Sequence, residues 1–292
     1  MFHFLHTFNP QPILFGLGAL EVHWYGFLIA IGALLAFGIF YYLAQKYGLK
    51  KDDVYNLVFY LIIFGLIGDR LYYVIYAWGY YSQNLLDIFK VWEGGLAIHG
   101  AMIAGIIVIL IYAKRHKLSP WLILDMLVVG LALAMAVGRW GNYFNQELFG
   151  WPTNLPWGIP ISFEHRPPEL MNSQYFHPTF LYESLWNLVI FGSLFFWHKI
   201  RLAKQISQRL TSLRPEIKKP DLNRGFGNIA IAYFILYSTG RFLNEFLRID
   251  FSPYVFGLRW AQVASLAIIF TCLVFIGLKI YLKFKAKPKL AL

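Results

Sequence analysis

The chain alternates between long apolar runs and shorter polar ones, and the apolar runs share one length. Seven of them, at 24–44, 54–76, 94–113, 119–138, 178–198, 226–247 and 258–282, reach about 20 mostly apolar residues, the length an α-helix needs to cross hydrocarbon that offers its backbone no hydrogen-bond partners. Two intervening stretches are too polar to span. Residues 139–177 hold several prolines and predict a structured extramembrane segment, while 199–225 are rich in Lys, Arg and Gln. The pattern therefore predicts an all-α, polytopic fold: one integral membrane domain over residues 1–292 with seven transmembrane helices and a small extramembrane segment between helices 4 and 5. No long internal repeat and no matched pair of Gly/Pro-broken spans, the mark of inverted-repeat transporters, is visible.

Composition agrees with a lipid-facing surface. Of 292 residues, 58% are hydrophobic, 19% aromatic and 14% charged, whereas a soluble domain carries about 25% charged residues. The lone Cys272 sits in an apolar run, so neither a disulfide framework nor a cysteine metal cluster is expected. The N-terminal MFHFLHTFNPQPILF lacks a basic n-region and does not read as a cleaved signal peptide.

The net charge of +11 would suggest nucleic acid if the basic residues lined a soluble face. Instead they fall at alternate span ends. Lys46, Lys50 and Lys51 follow the first span and Lys114, Arg115 and Lys117 the third. Lys199, Arg201, Lys204, Arg209, Arg214, Lys218, Lys219 and Arg224 follow the fifth, and the C-terminus holds Lys279, Lys283, Lys285, Lys287 and Lys289; the first 23 residues carry none. Positive residues stay on the cytoplasmic side, which predicts the N-terminus outside, the C-terminus inside and no nucleic-acid partner.

What remains of the basic set is Arg70, Lys90, Arg139, Arg166, Arg241, Arg248 and Arg259. Arg70 and Arg241 each lie six residues before the outer end of an expected span, so about 9 Å deep at 1.5 Å per residue. His99 lies about 8 Å inside the third span by the same measure, and Arg139 sits at the outer end of the fourth. Asp69 and Glu245 are candidate local partners for Arg70 and Arg241. Ionisable groups at one depth on four helices are costly unless they are partnered or face a wet cavity. A cationic, partly dehydrated pocket of this kind suits a phosphodiester, which Arg grips in bidentate fashion.

The densest motif runs from Gly138 to Gly150, with three glycines that allow turning and close approach, and with Asn142, Asn145 and Glu147 available to orient Arg139. On the sixth span Tyr237, Arg241 and Glu245 are spaced i, i+4, i+8, with Asn244 and Arg248 as a second pair. His99, flanked by glycines, is a candidate general base.

At these residues the chain resembles the bacterial prolipoprotein diacylglyceryl transferases. Their signature Gly-Arg-x-(Gly/Ala)-Asn-Phe-x-Asn-x-Glu-x-x-Gly is met from Gly138 to Gly150 at every defined position except Tyr143, which replaces Phe. The likeness continues through Trp24-Tyr25-Gly26, Glu93-Gly94-Gly95-Leu96, His99-Gly100, His177-Pro178-Thr179-Phe180-Leu181-Tyr182-Glu183 and Tyr237, Gly240-Arg241, Glu245 and Arg248. It departs at Ala101, where the family usually has Gly, and at Thr179-Phe180, where Ser-Gln is usual, so a polar role at position 180 is in doubt.

The resemblance implies transfer of the diacylglyceryl group of phosphatidylglycerol to the lipobox cysteine thiol of a prolipoprotein, with thioether formation and release of glycerol phosphate, at the bacterial inner membrane. Its partners would be phosphatidylglycerol, prolipoprotein signal peptides and membrane lipid, with no cofactor and no metal. Under that reading Arg139 and Arg241 hold the phosphate and His99 is the base. Tyr25 and Tyr237 are polar supports, Asn142, Asn145 and Glu147 position headgroup and Arg, and Arg70, Glu245 and Arg248 hold or gate the pocket.

Other classes fit less well. A transporter or channel should place ionisable groups on both sides of the midplane, yet here the inner halves of the spans are apolar. An intramembrane protease needs a paired constellation, and Asp125 has no obvious partner. A non-catalytic lipid-binding subunit stays open from sequence alone.

Overall fold

The computed structural model describes residues 2–18, 20–211 and 227–285. Arg214, Lys218, Lys219, Arg224, Lys287 and Lys289, used above to set the orientation, lie outside the described residues. The chain is mostly helical. An N-terminal helix α1 (Phe2–Thr7) leads to a hairpin of β1 (Ile13–Leu17) and β2 (Leu20–His23), then to α2 (Trp24–Lys46) and α3 (Lys51–Tyr76). The short α4 (Trp78–Tyr81) and two 3-10 turns (Leu85–Phe89, Val91–Glu93) precede α5 (Ile98–His116) and α6 (Pro120–Phe144). Strands β3 (Ile159–Pro160) and β4 (Tyr175–Phe176) pair before α7 (Thr179–Thr211) and α8 (Asn228–Asn244). A hairpin of β5 (Tyr254–Val255) and β6 (Leu258–Arg259) joins α8 to α9 (Trp260–Lys285).

Among the described residues, six helices are long and apolar enough to cross a membrane: Trp24–Lys46, Lys51–Tyr76, Ile98–His116, Pro120–Phe144, Thr179–Gln205 and Trp260–Leu282. The stretch expected as a sixth span, 226–247, forms the 17-residue helix α8, and leaves the helix after Asn244. It does so because its end is drawn into extended pairing: Gly150 bridges Arg248, and the Trp151 amide donates to the Leu247 carbonyl (2.9 Å).

Three other boundaries move. Helix α6 runs past 138 to Phe144, so Arg139 lies inside it and not at its end. The motif glycines there serve packing: a Cβ on Gly141 would come within 2.6 Å of the Tyr25 ring of α2. Helix α5 starts at Ile98 because Gly94 and Gly95 adopt φ of +88° and +71°, which only glycine takes readily; His99 is thus in the first turn. Helix α7 carries the first part of the polar 199–225 stretch into its end at Thr211.

The chain forms two compact units, one of Met1–Gly38, Val128–Lys199 and Asn228–Leu292, the other of Ile39–Leu127 and Ile200–Gly227. In the first, α1, the 139–177 segment and the start of α7 share a core of Leu5, Tyr143, Phe149, Ile159, Ile161, Phe176, Phe180 and Leu181. Each such side chain taken out of water contributes about 2 kcal/mol, which is why a segment too polar to span still has a fixed shape. Phe180 stacks on Tyr143 (4.7 Å between ring centres), so position 180 is apolar core and the Tyr143 substitution is accommodated beside it. In the second unit α3 packs on α5, touching where Gly68 and Gly100 face each other. There too Asp125, fully buried, accepts from Arg201 Nη1 (3.1 Å) and the Gly227 amide (2.9 Å), the partners that sequence did not disclose.

Candidate active site

The first unit gathers the arginines around one carboxylate. Glu183, one turn into α7 and almost buried, pairs through Oε2 with Arg139 Nε from α6. Its Oε1 lies 2.9 Å from Arg241 Nη1 and 3.6 Å from Arg248 Nη1, and accepts from Asn244 Nδ2 at 2.6 Å. Small residues and a bulky one set this meeting. Ser184 ties α7 to α6 by donating to the Ala136 carbonyl (2.8 Å) and accepting from Trp140 Nε1 (3.2 Å). Gly240 lets Trp186 lie against α8 and donate to the Leu236 carbonyl (2.9 Å); a Cβ on Gly240 would sit 2.1 Å from Trp186 Nε1.

A second layer of charge surrounds the first. Glu245 accepts Arg241 Nη2 (2.9 Å), the partner expected from the i, i+4 spacing, and also Arg259 Nε (2.8 Å). Asp250 accepts Arg248 Nε (2.7 Å), and Arg259 also donates to the carbonyls of Arg248 (2.8 Å) and Asp250 (2.6 Å). Burial alone would raise the Asp250 carboxyl, but the Arg248 hydrogen bond and the charges of Arg248, Arg259 and Arg241 outweigh it and hold it below its ordinary value. Burial alone would lower the Arg248 guanidinium, and the bond and charge of Asp250, with Glu183 and Glu245, turn that into a rise. Four guanidinium groups thus face three carboxylates, which leaves a local positive excess.

Exposure divides the four. The side chains of Arg248 and Arg259 are 4% and 8% exposed, fully engaged by their partners, whereas Arg139 and Arg241 keep 15% and 21%. A cavity of about 300 Å³ opens at Arg241, lined also by Tyr182, Glu183, Trp186, Tyr237 and Asn244. The ring of Tyr237 is stacked on Tyr233 (5.7 Å). Tyr25, at the start of α2, is exposed and lies against Gly141.

The glycine-rich motif turns sharply after α6. Asn142 accepts from Arg139 Nη1 (3.4 Å) and donates to Glu147 Oε1 (2.7 Å), which also accepts from Asn145 (3.4 Å). Gln146 and Leu148 take positive φ, +52° and +58°. The buried Gln146 side chain secures the turn by donating to the Pro10 carbonyl (2.9 Å) and accepting from the Ser162 amide (2.7 Å). At the far side the Gly150 amide donates to the His177 carbonyl (2.9 Å). The motif therefore ties the end of α6 to the start of α7 and the end of α8, the three places that supply Arg139, Glu183 and Arg248.

His99 and Arg70 belong to the second unit. His99 is exposed, its ring stacked over Tyr72 (5.6 Å between centres). Arg70 does not pair with Asp69. Its guanidinium donates to the carbonyls of Ile88 (2.8 Å), Gly94 (2.7 Å), Gly95 (2.9 Å), Lys90 (3.3 Å) and Asp87, over the Tyr81 ring. Every donor direction is taken by the loop that precedes α5, which leaves the head no free fork for a ligand.

Sequence reasoning assigned no role to Glu183, Arg259 or Gln146. Glu183 was legible as an acid at the start of an apolar helix, a position that needs a counter-ion; nothing in local spacing ties it to arginines more than 40 residues away on either side. Arg259 lay in the left-over basic set without a partner in view.

Comparison with known proteins follows the same residues. The family model described as prolipoprotein diacylglyceryl transferase matches residues 12–278. The phosphatidylglycerol–prolipoprotein diacylglyceryl transferase of Synechocystis sp. is 42% identical over 263 residues, 89% of this chain and 86% of the relative. The protein of the same description from Nostoc sp. is 40% identical over 266 residues, covering 90% and 87%. That from Prochlorococcus marinus (strain NATL1A) is 40% identical over 306 aligned positions, covering 98% and 95%.

Proposed function

The chain belongs to the prolipoprotein diacylglyceryl transferase family, and from that premise we propose how its arginine cluster carries the reaction. The protein is a multi-pass membrane transferase that moves the diacylglyceryl group of phosphatidylglycerol onto a prolipoprotein. The proposed acceptor is the thiol of a lipobox cysteine in the prolipoprotein signal peptide. Its sulfur forms a bond to the terminal glycerol carbon of the diacylglyceryl group as the carbon–oxygen bond to phosphate breaks. The electron pair of that bond leaves with glycerol phosphate, and the thiol proton passes to a base.

Arg139 and Arg241 receive the phosphate in this scheme. The observation that carries the assignment is their shared hold on Glu183 combined with the exposure only they retain among the four arginines. The carboxylate fixes both forks before substrate arrives, and preorganised cations stabilise charge growing on a leaving group without reorganising. Asn142, Asn145 and Glu147 steady Arg139, Glu245 and Arg248 steady the far side, and Tyr25 and Tyr237 supply hydroxyls to the headgroup. His99 is the proposed base, since only the thiolate is strongly nucleophilic. Arg70 holds the loop from which α5 and His99 emerge.

The topology that fits has α8 as the seventh span, its 17 residues within the range of about 17 to 25 that crosses a bilayer. The N-terminus is then outside, the C-terminus in the cytoplasm of a bacterium and the enzyme in the inner membrane. Membranes holding the protein, given labelled phosphatidylglycerol and a lipobox peptide, should shift the peptide by one diacylglyceryl mass. An unaltered peptide, with protein present and folded, overturns the reading.

A further inference from the structure

The second unit carries a cleft that the transfer reaction does not use. Helices α3 and α5 touch at Gly68 and Gly100, where a Cβ on Gly100 would fall 2.0 Å from the Gly68 carbonyl oxygen. Beside that contact, and reaching to His116, the two helices line a cavity of about 500 Å³. Its walls are apolar, with Phe64, Leu71, Ile107 and Ile111 prominent, and it runs along α5 from Ala104 to His116. Those residues span about 18 Å at 1.5 Å per residue, close to one leaflet of a hydrocarbon core about 30 Å thick.

The polar end is specific in what it leaves free. His116 Nδ1 lies 3.2 Å from Asp53 Oδ1, and its ring stacks on Tyr112 (3.9 Å). The Tyr112 hydroxyl donates to the Asp53 carbonyl (2.7 Å). Arg115, which also lines the mouth, is exposed and has no partner among the described residues; Lys114 and Lys117 flank it in sequence. An apolar slot one leaflet long that ends at an unengaged guanidinium matches a lipid tail joined to a negative headgroup.

We propose that this cleft holds one acyl chain of an anionic glycerophospholipid, with its phosphate on Arg115. The site uses none of the residues assigned to transfer. The leaflet on the Arg115 side is cytoplasmic under the orientation proposed above, and the inference rests on that reading only for the leaflet's name.

The test uses the full chain in vesicles that contain phosphatidylserine or phosphatidylcholine with a photoreactive group in the acyl tail, followed by mapping of labelled peptides. Phosphatidylserine is anionic but lacks the glycerol headgroup of the substrate. Expected is labelling of 60–71 and 104–111 by phosphatidylserine about tenfold above that by phosphatidylcholine. Arg115→Gln should lose about the same factor, the worth of one hydrogen bond to a charged group. Val108→Trp, which fills the cleft from its wall, should abolish the labelling, while Arg115→Gln transfers at the wild-type rate at saturating phosphatidylglycerol. Equal labelling by the two lipids, or by Arg115→Gln and wild type, overturns the proposal and marks ordinary boundary lipid. Because transfer is measured on the same samples, a failed labelling result is distinguishable from a failed reading of the enzyme.

Discussion

Glu183 and Arg241 sit on different helices and meet at 2.9 Å, and the same carboxylate takes Arg139 with its other oxygen. One acid thus fixes two cations that are proposed to meet the substrate phosphate together. Its charge also tempers their repulsion, which in a site of low dielectric would otherwise spread the forks apart.

Glu183→Gln keeps the shape and removes the charge. Breaking a buried pair by neutralising one partner costs about 3–5 kcal/mol, because the remaining charges are uncompensated. The expected result is a clear fall in the thermal midpoint in detergent and a loss of transfer of about a hundredfold or more, the effect of misplacing preorganised charge. A variant that is equally stable and equally active removes Glu183 from the account.

Gly240→Ala should fail for a different reason. Its new methyl group would overlap the Trp186 indole, an overpacking that costs about 1–3 kcal/mol. Trp186→Leu in the same chain should recover stability by making room. If the double variant is no more stable than Gly240→Ala alone, that contact does not set the approach of α7 to α8.

Two further residues test how the cluster and the loop are held. The Asp250 carboxyl is held below its ordinary value, so its contribution is complete above the unfolded value near 4 and is lost as pH falls through the lower folded value. Wild type should therefore lose stability faster than Asp250→Asn as pH drops below about 4, although the variant is less stable at neutral pH. Parallel thermal midpoints for the two proteins through that window would exclude the effect.

Arg70→Gln removes most of the donors that gather the loop carbonyls. Faster amide exchange is expected over residues 85–99 at unchanged exchange in α7 and α8, together with reduced transfer. Unchanged exchange in that loop would contradict the loop-holding role of Arg70.

Much of this was legible in sequence, and what was not has a physical cause. Hydropathy located every long helix, because lipid imposes a length on each span. It overran α8 because Phe246 and Leu247 are apolar, yet the chain there turns so that Leu247 and Arg248 pair with Trp151 and Gly150, a tertiary demand that composition does not carry. It ended α6 too early, at Gly138, because the polar glycine-rich motif begins there; the helix continues through Gly141, whose missing Cβ lets the Tyr25 ring lie against it. The i, i+4 rule found Arg241 with Glu245, since both lie on one chain segment. Glu183 escaped because its partners come from other helices, and Asp69 stood as the candidate partner of Arg70 because the backbone carbonyls that Arg70 binds leave no trace in sequence.

The central claim is that Arg139 and Arg241 stabilise the departing phosphate. The most direct measurement is the steady-state rate of peptide lipidation in proteoliposomes for Arg139→Ala and Arg241→Ala, with insertion and folding verified for each. The account predicts that kcat falls at least about a hundredfold in both, as when a transition-state donor is removed, with a smaller effect on KM for phosphatidylglycerol. Wild-type kcat in both folded variants would contradict it.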